Sequence, residues 1–338
     1  YPFICRVIIY PRETRHIYLI KDITNCMKKL SVFVGLVLLS FVSHHASAQY
    51  YFYDNDHYDT PLIFEVGGSV GAMNSLTDLG GRKGIGKKFV KDLNLNKTQL
   101  CGSVFLGAMY QDMIMFKLEA TFGKIQGDDA VLKKVAPSTF GRYERNLNFR
   151  SKITEFSGMF EIHPLYIFNK YNDDNDKTPP SFSPYLTGGV ALFSFNPQAK
   201  TSNGWVDLQP LSTEGQGFAE YPDRKVYKLR QLSIPVGAGV KYELSSNINL
   251  RAEFIYRILN TDYLDDVSTN YIDPTLYANY FTGAKLTNAL LLNDRQYELD
   301  PTHVTYPGDQ RGNPKNNDAY FSFNLKVSYT FGRERIRR

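Results

Sequence analysis

The chain has 338 residues, with 39 Lys/Arg against 34 Asp/Glu, 24 Tyr, 23 Phe and only three Cys. Its mean hydropathy is negative, and no uninterrupted apolar run reaches the roughly 20 residues that a spanning helix needs. Residues 1–48 hold six Lys/Arg and two acids, so without them the charge falls from +5 to +1, and the basic balance gives no reason to expect nucleic acid.

The first readable element is a secretory signal. Met27-Lys28-Lys29 supplies a basic start, Leu30 to Val42 an apolar run, and Ala46-Ser47-Ala48 a small-residue cleavage site. The mature chain is therefore expected to begin at Gln49, with 27–48 as signal peptide, 1–26 as a non-native upstream extension and 49–61 as an N-terminal periplasmic segment. Cleavage would leave Cys101 as the single cysteine, which excludes an internal disulfide.

Eight stretches then alternate apolar and polar residues with period two, the signature of strands with two different faces. Residues 62–72 place Leu62, Phe64, Val66 and Val70 opposite Glu65 and Ser69. Residues 100–110 and 113–123 form the clearest hairpin, around Gln111-Asp112, with Ile114, Phe116, Leu118, Ala120 and Phe122 opposite Lys117, Glu119 and Thr121. Residues 152–163 set Phe156, Phe160 and Ile162 against Glu155, Ser157 and Glu161, while 184–195 is less regular around Gly188-Gly189. Residues 229–243 and 247–259 are joined by a short turn at Leu244–Asn247, with Pro235 on the inward face, where a bulge or a stagger would accommodate its missing donor. The last stretch, 319–331, carries Phe321, Phe323, Leu325, Val327, Tyr329 and Phe331 on one face.

These stretches predict an all-β fold: an eight-stranded antiparallel transmembrane β-barrel of the bacterial outer membrane, spanning 62–331 and followed by a basic periplasmic tail, 332–338. With the N-terminus in the periplasm, the outward connections 73–99, 124–151, 196–228 and 260–318 are long, and the inward ones at 111–112 and 244–246 are short. The connection 164–183, with its run Asn172–Asp176 and Pro179-Pro180, breaks that rule and is the natural place for a periplasmic contact. A soluble lipocalin-like barrel would put its apolar face inward. Here the faces expected to point outward are rich in aromatics, and the opposite faces carry balanced charge.

The inward set comprises Glu65, Glu119, Glu155, Glu161 and Glu253 against Lys117, Lys241, Arg251, Arg257 and Lys326. An eight-stranded barrel has room only for its own side chains, and buried charges must be paired. A filled, ion-paired lumen is therefore expected, with a small pore or uptake barrel as the alternative and a rim-site lipid-modifying enzyme behind it.

Chemical motifs are sparse. Gly81–Lys88 approaches a phosphate-binding loop, but Lys88 replaces the hydroxyl that would hold magnesium, so it reads as a basic loop suited to lipopolysaccharide. Asn172, Asp174 and Asp176 resemble the start of a calcium loop, but Lys177 and Ser183 stand where Gly and Glu are required. His57, His163 and His303 are scattered, no His–acid–nucleophile set can be assembled at adjacent strand ends, and His163 reads as an interfacial strand terminus. No catalytic, metal or cofactor residues are assigned.

Three loop segments stand out: Gly204–Leu211 with Glu214–Gly217, Thr261–Ser268 and Gln310–Asp318. With Arg145–Arg150 and Gln231–Gly237, they resemble a family of Bacteroidetes outer-membrane barrels of largely unassigned function, related to the PorG-type barrel of type IX secretion. That resemblance implies a non-catalytic, membrane-anchored interaction protein, with periplasmic secretion-ring proteins as partners beside outer-membrane lipid and the barrel-assembly machinery. The candidate loop contacts are Trp205, Asp207, Tyr263, Asp265, Asp266, Arg311 and Lys315. Equally, these loops would fold over the barrel mouth and cap it.

Overall fold

A computed structural model describes residues 62–79, 97–133, 139–171, 182–245 and 247–331. The expected upstream extension, signal peptide and N-terminal segment lie outside those residues, as do the Gly81–Lys88 loop, the run Asn172–Asp176, Pro179-Pro180 and the tail 332–338.

The alternating stretches become β1 (Leu62–Leu76), β2 (Gln99–Tyr110), β3 (Ile114–Asp128), β4 (Asn148–Ile162), β5 (Phe182–Ser194), β8 (Arg230–Glu243), β9 (Ile248–Leu259) and β10 (Ala319–Phe331). A short hairpin, β6 (Pro197–Thr201) and β7 (Gly204–Asp207), lies between β5 and β8 in sequence. The eight long strands run β3-β2-β1-β10-β9-β8-β5-β4, and pairing of β3 with β4 closes the ring. All of these pairs are antiparallel, so closure leaves no open edge in the wall. The β6–β7 hairpin extends from β4 through Arg150↔Gln198 and Ser151↔Pro197.

The short connections are gathered at one end. At 110–113 the Met113 N–H donates to the Tyr110 carbonyl at 3.0 Å, and Gln111 and Asp112 both have positive φ, 51° and 56°. That geometry matches the twist of the flanking strands. At the same end a helix, Pro164–Tyr171, fills the start of the longer connection after β4.

Face assignments follow the alternation. Val70, Leu100, Leu106, Phe156, Leu232 and Leu325 are more than half exposed on the outside, while Glu65, Lys117, Glu161 and Lys326 are buried inside. A continuous belt of exposed aliphatic and aromatic side chains around a charged interior is stable only in a lipid solvent, and the closed strands leave no unpaired backbone edge toward that lipid.

Three strands are longer than the sequence pattern predicts. β1 continues beyond residue 72 to Leu76, β3 beyond 123 to Asp128, and β4 begins at Asn148 rather than 152. In the added rows and the first positions of the expected fourth stretch the hydropathy reverses: Lys124, Gln126, Arg150 and Lys152 point outward, while Ile125, Phe149 and Ile153 are buried. These rows rise above the lipid belt, so water replaces lipid outside and an apolar core replaces ion pairs inside. A pattern that requires apolar residues outward therefore ends at that boundary.

Pro235 faces inward, as its position in the alternation requires, but it introduces no bulge. The β5–β8 ladder is interrupted between Gly188↔Val236 and Ala191↔Ser233 and resumes in the same register, while Pro235 remains opposite Arg257 on β9. Missing side chains at two glycines make room inside. A Cβ at Gly107 would collide with Met115, and one at Gly239 with the Tyr185 ring.

Leu325 lies at the middle of β10 on the exterior, 56% exposed and opposite Val70. Leu325→Arg should destabilise the barrel by about 2–4 kcal/mol in reversible unfolding from lipid vesicles, the cost of a cation at the bilayer midplane. A change of less than about 0.5 kcal/mol, ordinary for a water-exposed site, would contradict a lipid-facing exterior.

Candidate functional site: the ion-paired lumen and the loop cap

Each lumen charge sits where the strand pleat turns it inward, and the register then brings opposite charges together. Arg251 on β9 is the central fork: Nη2 lies 2.6 Å from Glu65 Oε2 and Nη1 2.5 Å from Glu161 Oε2. Toward the turn end, Lys241 lies 3.7 Å from Glu65 and 3.0 Å from Glu243. Toward the cap, Lys117 contacts Glu161 at 2.8 Å, Glu253 at 2.9 Å and Glu119 at 3.2 Å. Lys326 completes the chain, 2.7 Å from Glu119 and 2.5 Å from Glu253. Eight of the ten expected lumen charges thus join one continuous network. Arg257 and Glu155 form a separate pair at 3.1 Å, to which the Tyr320 hydroxyl donates.

Neutral groups complete the filling. Tyr185 donates to Glu253 at 2.9 Å, Ser103 to Glu119 at 2.5 Å, Ser328 to Glu65 at 3.1 Å and the Cys101 thiol to Asn324 at 3.3 Å. Tyr185 and Glu243 were not among the expected lumen residues. Tyr185 escapes the alternation because β5 is nearly apolar on both faces, and Glu243 because it sits at a strand end.

One cluster corrects the sequence reading. His163, read there as an interfacial strand terminus, is buried; its Nδ1 lies 3.0 Å from the Ser183 hydroxyl, and its Nε2 lies 3.7 Å from Glu161. A His–acid–hydroxyl set is therefore assembled between the ends of β4 and β5. Ser183 is only 1% exposed and His163 is fully buried, while Glu161 is held by Arg251 and Lys117. Among the described residues, no group of His, Cys, Asp or Glu is arranged to hold a metal.

At the opposite end the long connections fold into a cap with its own two cores. The first joins Leu79, Ile125, Leu147, Phe149, Leu264 and Val267, and Tyr227 stacks between Tyr263 at 4.9 Å and Phe195 at 6.1 Å. The second packs Leu208, Leu211, Phe218 and Ile272 against Tyr277 and the helix Gly283–Asn293.

Two buried arginines tie the loops together. Arg145 makes a bidentate pair with Asp129, at 2.9 and 3.0 Å, and donates to the Arg311 and Asp78 carbonyls. Arg311 pairs with Glu214 at 2.8 Å and donates to the Asp266 carbonyl. Glu214 in turn accepts from the Ser268 and Thr269 amides.

Asp265, Asp266 and Arg311, expected as external contacts, are therefore internal. Asp265 accepts from the Leu79 and Val267 amides, and Asp266 from Thr213 and Tyr227. Their acid-rich loop works as a set of backbone caps, which the sequence pattern does not separate from a surface motif. Tyr263 is half-buried. Trp205 lies 3.9 Å over the Arg150 guanidinium, Asp207 accepts from Asn196 and Gln198, and Lys315 is exposed, so these three remain accessible.

Burial pushes the Asp262 carboxyl up to about 9, Asp265 up to about 8 and Asp266 up to about 6. Neighbouring negative charge, Asp78 above all, adds to the first two, whereas Arg311 pulls Asp266 back.

No family model matches the chain, and no curated protein matches it either. Among solved structures it is similar to the attachment invasion locus protein Ail of Yersinia pestis, with 9% identity, 79% of this chain and 99% of that one covered, and a TM-score of 0.34. It is also similar to OprG of Pseudomonas aeruginosa (11%, 80% and 95%, TM-score 0.32) and to Neisserial surface protein A (10%, 79% and 95%, TM-score 0.31). The lipid-facing belt and closed ring identify the chain as an eight-stranded barrel of the bacterial outer membrane.

Two measurements probe the site. Arg251→Leu should cost about 3–5 kcal/mol in urea unfolding, because Glu65 and Glu161 would stay buried without their shared partner. Lys200→Leu, on the exposed hairpin, should stay within about 0.5 kcal/mol. Separately, carboxyls with raised folded values make the folded cap bind more protons than the unfolded chain. The stability these three carboxyls contribute is full below the ordinary carboxylate value of about 4 and is lost as pH rises through about 6, 8 and 9. Exchange protection of the Leu79, Leu264 and Val267 amides, corrected for intrinsic rate, should fall between pH 5 and pH 9. Constant or rising protection would contradict this.

Proposed function

We propose that the protein is a non-catalytic, non-conducting outer-membrane barrel that serves as a docking component, and that the machinery it serves is of the type IX secretion kind. The observation that supports it best is the double closure of the axis. Ion pairs run from Glu243 to Lys326 along the lumen, and a folded cap with two apolar cores covers one mouth. A barrel closed in both ways has nothing to conduct, and its buried Ser183 has no access to substrate. What it offers is two surfaces held at fixed positions across the membrane.

The secretion reading rests on the resemblance of the loop segments to PorG-type barrels. On the turn side the helix Pro164–Tyr171 presents Phe168, 65% exposed, beside Leu165, an apolar knob suited to a periplasmic ring protein.

Refolded protein in planar bilayers should give no stable single-channel steps, and reproducible steps would overturn the non-conducting reading. A photo-crosslinking residue at position 168 should trap a periplasmic secretion-ring protein in native membranes. If position 168 yields no adduct beyond that of position 285 on the cap, the secretion assignment fails while the closed-barrel reading stands.

A further inference from the structure

The exterior is not uniform around its loop-end rim. β3, β4, β5 and β8 are consecutive in the sheet, and one exterior row runs through Phe122↔Thr154, Thr154↔Ser194 and Ser194↔Arg230. One exterior step closer to the loops, Lys124 stands directly opposite Lys152. On β8 the same step reaches Lys228, since the ladder continues through the Phe195 N–H bond to the Leu229 carbonyl. Lys124, Lys152, Lys228 and Arg230 are all exposed, and none has an ion-pair partner among the described residues. Of the acids on this arc, Asp128 on β3 is paired with Lys97 at 3.1 Å, and Asp207 is held by Asn196 and Gln198.

Two like charges directly opposite on one face of a sheet destabilise the pair. These cations sit where the exterior changes from aliphatic to polar, the height of lipid headgroups. Beside them a recess of about 460 Å³ is lined by Leu192, Lys228, Arg230, Gln231, Leu232 and Asn260. Its lower part is aliphatic, with Leu192 and Leu232 paired across β5 and β8, and its upper part is cationic.

We propose that this arc binds an anionic, phosphate-bearing lipid of the facing leaflet, one phosphate held between Lys124 and Lys152 and a second by Lys228 and Arg230, with acyl chains lying on Leu192 and Leu232. Lys152 and Lys228 are two strand spacings apart, about 10 Å, a separation that suits a headgroup carrying two phosphates. A phosphomonoester relieves the Lys124–Lys152 repulsion with charge-assisted hydrogen bonds, and the Arg230 fork adds a planar donor pair. A zwitterionic headgroup satisfies this set less well, because its own ammonium meets four cations.

Native mass spectrometry of the full-length barrel in non-ionic detergent tests the proposal, with bis-phosphorylated lipid A as the probe. Dephosphorylated lipid A, phosphatidylcholine and inorganic phosphate serve as comparators. One lipid A per barrel should be retained. Lys124→Gln/Lys152→Gln and Lys228→Gln/Arg230→Gln should each weaken retention by about tenfold, and removal of the phosphates should weaken it at least as much. The control Lys200→Gln/Lys285→Gln, which removes the same charge from the cap, should change nothing. All four lysine and arginine positions are exposed, and heat-modifiable gel mobility reports whether each variant is folded. Equal retention by wild type and both rim variants would overturn the proposal. So would an equal loss in the control, or equal binding of phosphatidylcholine, dephosphorylated lipid A or inorganic phosphate.

Discussion

Closure of eight strands fixes a lumen only wide enough for its own side chains, and that single constraint governs the rest of the molecule. Every second residue of each strand must point into this space. In this chain many of those residues are charged, so they are stable only if they neutralise one another. Arg251 shows how the register achieves this. Its inward position on β9 reaches Glu65 on β1 and Glu161 on β4 across the barrel axis. Glycines on neighbouring strands then clear space for bulkier groups, as Gly239 on β8 does for its partner Tyr185 on β5, whose hydroxyl donates to Glu253.

The same constraint explains the upper structure. Above the lipid belt, β1, β3 and β4 continue with their hydropathy reversed, so the barrel becomes the base of a water-soluble cap. Ile125, Phe149 and Ile153 point inward to meet Leu264 and Val267, and Arg145 and Arg311 bind loops whose sequence separation exceeds a hundred residues. The protein is thus one wall with two interiors, ionic within the membrane and apolar above it.

Much of the barrel was legible in the sequence because the period of two is a direct consequence of strand geometry. Phe116, Leu118 and Phe122 on one face, with Lys117 and Glu119 on the other, specify both the β3 strand and its orientation. The lumen charges were legible for the same reason. What lay beyond the pattern is equally specific. The upper parts of β3 and β4 alternate correctly but with the opposite polarity, so a rule built on lipid outside cannot follow them. Asp265 and Asp266 look like surface residues because acidic loops usually are. Their burial depends on Leu79, Thr213 and Tyr227, partners brought close only by the folded chain. His163 and Ser183 meet across a connection whose length hides their proximity.

A dry, mutually neutralised lumen requires Arg251 and Glu161 to be energetically coupled. A double-mutant cycle between Arg251 and Glu161, using Arg251→Leu and Glu161→Gln in reversible unfolding from lipid vesicles, measures that coupling most directly. In a closed, desolvated interior the two substitutions should be strongly non-additive, with a coupling of about 1.5–3 kcal/mol. Additivity within about 0.5 kcal/mol would mean that water screens the pair, and would contradict the filled barrel.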